Sequence, residues 1–130
     1  MIGMKTAREI YKKSLAILGM TEDENTEVYL QRAPHLINLL LAETADLEEA
    51  LKGGASSPGQ AILQISDMEE PLGLEGAILY SLIPLGLAAL LIQEEEPERA
   101  SFFMQLYQRE KNALRARSLR GTRHKILRSF

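Results

Sequence analysis

GAILYSLIPLGLAALLIQ, running from Gly76 to Gln93, is 18 residues without one charged side chain. A helix drawn through it is apolar nearly all round, so it belongs at the centre of a core. Its length reaches the threshold of a membrane span. Its flanks argue against one, because Glu75 precedes it and Glu94-Glu95-Glu96 follow, with no nearby Lys or Arg to mark a cytoplasmic end. Ser81, Pro84 and Gly86 also sit inside it. Pro84 is expected to bend the axis, and Gly86 with Ala88 and Ala89 to allow close backbone approach. The stretch is therefore read as a buried third helix over about Leu74 to Gln93.

The rest of the chain supplies what such a helix packs against. Its 130 residues are 45% apolar, 25% charged and 5% aromatic, which suits one domain with a sizeable core. Leu occurs 22 times and Ala 14 times, but Val only once. Leu and Ala lose little on entering a helix, whereas sheets favour β-branched and aromatic residues. The expected fold is all-α, a small bundle of about four helices. With no cysteine there is no disulfide, no thiolate zinc site and no cysteine nucleophile, a composition compatible with a reducing cytoplasm. No apolar secretory segment opens the chain, since Met1 to Lys5 lead directly into an amphipathic stretch.

Working outward from the centre, a first helix spans about Ala7 to Leu18, with Thr6 and Glu9 at capping-box spacing and Gly19 as its stop. Acids of the turn 21–25 favour the start of the next helix. A second helix is read from about Thr26 to Leu51, because Leu30, Ala33, Ile37, Leu40, Thr44, Leu47 and Leu51 recur at steps of three and four. Pro34 should kink it, or break it at Arg32–Ala33. Residues 53–60 form a loop by composition. The piece from Ile62 to Leu72 is short and bounded by Pro71, so it is expected to be an extended arm or one strand of a small hairpin, free to pair with a neighbouring subunit. A fourth helix starts at Pro97, a favoured first position. Its stripe is Phe103, Leu106, Tyr107, Glu110 and Leu114, and it fades around Arg117. This divides the chain into a helical domain, 1–117, and a basic tail, 118–130.

Catalytic and metal-binding chemistry find little purchase. His35 and His124 are not paired at ligand spacing, and no phosphate-binding, dinucleotide, zinc-protease or nucleophile-elbow motif occurs. His35 follows Pro34 and reads as a helix-surface histidine. The runs Glu69-Glu70 and Glu94-Glu95-Glu96 read as solvated acids beside turns, with no partner to make a general acid–base pair. Phe102, Phe103 and Tyr107 could stack on bases, but their spacing makes Phe103 and Tyr107 core residues. No catalytic residue, metal ligand or cofactor is expected, and the chain is not read as an enzyme.

Charge is distributed unevenly. Residues 1–108 carry 7 basic and 17 acidic groups, a net −10. Residues 109–130 carry 8 basic groups against Glu110 alone, a net +7. An acidic body with a basic arm is a statement about partners rather than fold. The tail also holds Leu119, Ile126, Leu127 and Phe130, apolar groups suited to a segment that orders on an acidic, partly apolar partner.

Four segments, taken in order, carry a family resemblance: Ala33 to Glu43 (APHLINLLLAE), the arm ending Pro71-Leu72, Ile83 to Leu91 (IPLGLAALL), and Phe102 to Tyr107 (FFMQLY). Over roughly residues 6–117 the chain resembles the small helical head-to-tail connector (adaptor) proteins of tailed phages and prophages. The resemblance implies a structural role in the virion, reached from the host cytoplasm during assembly. It implies a homo-oligomeric ring, commonly of twelve subunits, below the portal protein. The ring would extend the DNA channel and receive the stopper or tail-completion protein. It implies no catalytic site and no cofactor. The portal-docking element would be the tail, through Leu119, Arg120, Arg123, Lys125, Ile126, Leu127, Arg128 and Phe130. A body of net −10 suits a channel, because tight phosphate binding would slow passing DNA. Leu36, Leu39 and Leu41 exceed what one stripe needs, so they and Ile62 and Ile65 of the arm are expected at the subunit interface. The alternative is a helical nucleic-acid-binding module using the basic C-terminal arm, although no helix before residue 109 has a basic face. No membrane association is expected.

Overall fold

The computed structural model describes residues 6–47, 64–72 and 79–128, with side chains of the last helix described as far as Arg117. Among the described residues the main α-helices are α1 (Ala7–Ile17), α2 (Glu27–Glu43), α3 (Leu79–Leu91) and α4 (Pro97–Arg128), with a 3-10 turn, Glu24–Thr26, before α2. Among the described residues there is no strand beyond one isolated antiparallel bridge, Thr6 to Pro71. The fold is all-α.

α3 packs against each of the other three helices. Leu82, Ile83, Leu87, Ala88, Leu91 and Ile92 are all buried, as an all-round apolar sequence requires. No helix among the described residues is long and apolar enough to cross a membrane. Gly86 is the point of closest approach: a Cβ there would stand 2.8 Å from Cδ1 of Tyr107 and 2.9 Å from Cδ2 of Leu40. α2 and α4 thus both meet α3 at its missing side chain. Arg32 pairs with Glu94 beyond the end of α3, and Leu82 shares a small cavity with Leu114, so α3 is antiparallel to both neighbours. α1 runs parallel to α3, with Ser14 against Pro84 and Leu18 clustered with Ala88 and Ile92.

α1 begins as its capping residues direct. Thr6 Oγ1 accepts from the Glu9 amide at 3.3 Å. At its other end Gly19, at φ +76°, takes the left-handed conformation that a side chain resists. Met20 N–H then donates to Leu15 O at 2.8 Å and Gly19 N–H to Ala16 O at 3.0 Å, a Schellman closure. Asp23 caps the 3-10 turn reciprocally with Thr26.

Several expectations about the elements are corrected. α2 does not run unbroken to Leu51. It ends at Glu43, Thr44 is a turn, and helical backbone resumes at 45–47. The Thr44 hydroxyl is buried and donates to Leu40 O at 2.9 Å, a local bond that competes with helix continuation. Pro34, by contrast, neither ends nor splits α2, because Ala33 and Ile37 beside it are fully buried and hold the axis in place.

The arm, over its described residues 64–72, packs on its own chain. Asn38 donates to Ile65 O at 2.9 Å and accepts from Ile65 N–H at 2.8 Å. The Ala7 and Arg8 amides, which α1 leaves without helical partners, donate to Glu70 O and Met68 O at 3.2 and 2.8 Å. Those bonds, with Ile65, Met68 and Leu72 buried, tie the segment to α1 and α2.

α4 starts at Pro97 as expected but does not fade near Arg117; its backbone continues to Arg128. Arg, Leu and Lys cost little in a helix, and one Gly121 costs only about 1 kcal/mol. The 117/118 division is therefore not a change of backbone. The stripe is also revised. Lys111, not Glu110, shares the buried face with Tyr107 and Leu114, and Glu110 is exposed. The loop 53–60, Ile62, the residues 48–51 at the end of the second helix, and the start of the third helix before Leu79 lie outside the described residues.

Candidate functional site

α4 is longer than the described part of α3, against which it packs. Its 32 residues span about 48 Å, whereas the 13 of α3 span about 20 Å. With Gly86 opposite Tyr107, the first residue of α3 falls opposite about residue 114. Two ion pairs tie the described part of α4 to the end of the α2 segment. Lys111 Nζ meets Glu43 at 2.9 Å, and Arg115 meets Asp46 at 3.1 Å, both acids lying at the far end of the α2 segment. Lys111 is buried along its stem and its ammonium lies 5.1 Å from the Tyr107 ring centroid. The Tyr107 hydroxyl is buried without a hydrogen-bond partner among the described residues. Burial pushes its pKa well up, and the Glu43 carboxylate pushes it in the same direction.

Beyond this point the helical register changes character. In sequence register, the positions that continue Tyr107, Lys111 and Leu114 are Ser118, Gly121, Thr122 and Lys125, none of them apolar and large. Leu119 and Ile126, seven residues apart, share a different face. Arg117, Arg120, Arg123, Lys125 and Arg128 bring five positive charges with no acid between them. Of the expected docking residues, Leu119, Arg120, Arg123, Lys125, Ile126, Leu127 and Arg128 lie on the continuous helical backbone. Their side chains and all of Phe130 lie outside the described residues.

The opposite end of α4 is acidic and tied down. Glu94 and Glu95 pair with Arg32 at 3.4 and 3.6 Å, and Glu96 with Arg99 at 3.6 Å. Arg99 also donates to Leu18 O at 2.8 Å, closing α1 onto this end. Glu69 pairs with Arg8 at 3.0 Å. Glu70 accepts from both the Ser66 amide and hydroxyl, which holds its pKa below the usual carboxylate value. The two glutamate runs are thus structural ties as well as solvated acids.

The expected interface residues divide. Leu39 is 47% exposed and Leu36 is partly buried. Leu41 and Ile65 are only 3% and 6% exposed and belong to the chain's own core, so neither is free for a second copy. Sequence reasoning missed Val28, which is 50% exposed. Val28, His35 and Ala42 are seven residues apart and exposed, and with Gln31 and Leu39 they form an uncharged outer stripe on α2. That spacing was the available signal. A second uncharged surface is the groove of about 480 Å³ between α3 and α4, lined by Ala89, Gln93, Ser101, Met104, Gln105 and Gln108 among others. Of the aromatics, Tyr107 is fully buried and Phe103 partly so, while Phe102 is 58% exposed.

Comparison with family models, characterised proteins and solved structures gives no match. Among the described residues, no group of three or more His, Asp or Glu could hold a metal ion.

Proposed function

We propose that this chain is a structural ring subunit, a head-to-tail connector of a tailed phage or prophage. It would sit below the portal, extend the DNA channel and receive the stopper or tail. The reading rests first on the segment resemblance. The observation that supports it further is that α4 continues as unbroken helical backbone to Arg128 through the most basic part of the sequence. A helix end with five positive charges and an apolar pair seven residues apart is suited to an acidic partner with an apolar groove. Its charges would govern encounter and salt sensitivity, and its apolar groups residence time. Lys111 and Arg115, held by Glu43 and Asp46, would fix the angle at which the extension projects.

The second reading, nucleic-acid binding through the same basic helix, is favoured by that helix alone. The acidic body of net −10 opposes it. One experiment separates them: size-exclusion mass of the chain with and without portal protein, beside a salt titration with duplex DNA. Co-elution with portal and weak, salt-abolished DNA binding support the connector. Tight DNA binding at physiological salt with no portal association would replace it with the second reading.

A further inference from the structure

Resting on the ring reading, we propose that neighbouring subunits join by a heterologous contact: the uncharged outer stripe of α2 on one copy lies in the α3–α4 groove of the next. A quarter of this chain is charged, yet Val28, Gln31, His35, Leu39 and Ala42 form an exposed stripe without one Asp, Glu, Lys or Arg. The groove residues Ala89, Gln93, Ser101, Met104, Gln105 and Gln108 are uncharged as well. Neither surface penalises desolvation as a charged one would. The lengths are comparable: Val28 to Ala42 spans about 21 Å of helix, and Pro97 to Gln108 along the groove about 17 Å. One surface is a convex ridge and the other a furrow between two helices.

The two surfaces cannot be one. Ala33, Ile37 and Leu40 are buried, so the outer stripe lies on the opposite side of α2 from the core. The groove opens between α3 and α4 instead. A contact between different surfaces repeats in one direction and closes into a ring when its rotation divides the circle. Two-fold pairing of α2 with α2 is disfavoured by charge. Antiparallel pairing centred on His35 sets Glu27 of each copy against Glu43 of the other, and parallel pairing sets each acid against itself. The groove lining presents no such acid. A contact one helix wide is small for a stable pair, so it would hold best when the ring is closed on a template.

The chain has no cysteine, so introduced thiols report alone. Leu39→Cys and Gln105→Cys are made singly and together, and cross-linked with a short bismaleimide on rings assembled with portal. The double variant should give a ladder of covalent oligomers, the mixed single variants a dimer and no more, and Leu39→Cys alone a monomer. Leu39→Asp should keep the melting temperature of the free chain, since Leu39 is on the surface, and abolish the ladder when added to the double-cysteine background at Val28→Cys/Gln105→Cys. Covalent dimers from Leu39→Cys alone would overturn the proposal in favour of two-fold pairing. Rings visible by electron microscopy without a ladder would overturn it while leaving the connector reading standing. Absence of any oligomer, free or with portal, would remove the connector reading and this contact with it.

Discussion

Replacing Gly86 with Ala sets two effects of known sign against each other. In an exposed helix interior the change stabilises by about 1 kcal/mol, because Gly is the poorer helix former. Here the new methyl would fall 2.8 Å from the Tyr107 ring and 2.9 Å from Leu40 Cδ2. Carbon atoms rest at roughly 3.5–4 Å, so each neighbour must retreat by roughly 0.7–1 Å. Neither has room, since both are fully buried. Overpacking of this kind costs about 1–3 kcal/mol. After the helix gain, Gly86→Ala should destabilise by about 1 kcal/mol, up to about 2. For a domain of this size the melting temperature then falls by roughly 4–8 °C. Urea titration followed by circular dichroism at 222 nm gives the free energy directly. A double variant sharpens the assignment. Leu40→Ala alone should cost about 2–5 kcal/mol, but with Gly86→Ala the methyl enters vacated space, and the pair should cost less than the sum by at least about 0.5 kcal/mol. If Gly86→Ala instead raises stability, the three-helix contact at this residue is wrong.

Other outcomes follow from buried polar groups. Ser14 Oγ lies 3.0 Å from Ile10 O and 2.9 Å from Pro84 O in a fully buried site, so Ser14→Ala should lower stability by about 1 kcal/mol in the same titration. Lys111→Met keeps the stem over Tyr107 and loses the tie to Glu43, costing about 1 kcal/mol, whereas Lys111→Ala also loses packing and should cost about 2 kcal/mol. Burial raises the pKa of Tyr107 and of Tyr11 above the ordinary 10.0. The stability from keeping these phenols neutral is complete below pH 10 and is lost as pH rises beyond it towards the folded-state values. Tyr107→Phe removes a hydroxyl that has no partner among the described residues, so it should be neutral or stabilising at pH 7 and should flatten the alkaline loss in a pH series of melts.

Local chemistry made the framework legible. The uncharged stretch around Pro84 is the buried α3, Gly86 is the close approach, and Thr6, Gly19 and Pro97 mark helix ends through their own backbone preferences. What was not legible depended on distant partners. Nothing near Asn38 announces that its amide will bond both ways to the backbone of Ile65, 27 residues on, and so hold the arm on its own bundle. Lys111 looked like part of a basic tail, because its burial depends on Glu43 and on the ring beneath it. Leu41 looked surplus because a periodicity argument counts one stripe, whereas the middle of α2 is enclosed more widely. For the candidate site, the charge division was plain in the sequence. The continuation of α4 to Arg128 was not, because polar residues at the positions that continue its apolar stripe resemble a helix end.

The measurement closest to the central claim is retention on tail-less phage heads, comparing the full chain with a chain ending at Arg117. The truncated protein should keep a cooperative melt near that of the full chain, since it retains the ties of Lys111 to Glu43 and Arg115 to Asp46. The account predicts that the full chain co-sediments with heads in a salt-sensitive manner and that the truncated one is lost. Equal retention of both, with the truncated chain still folded, would contradict it.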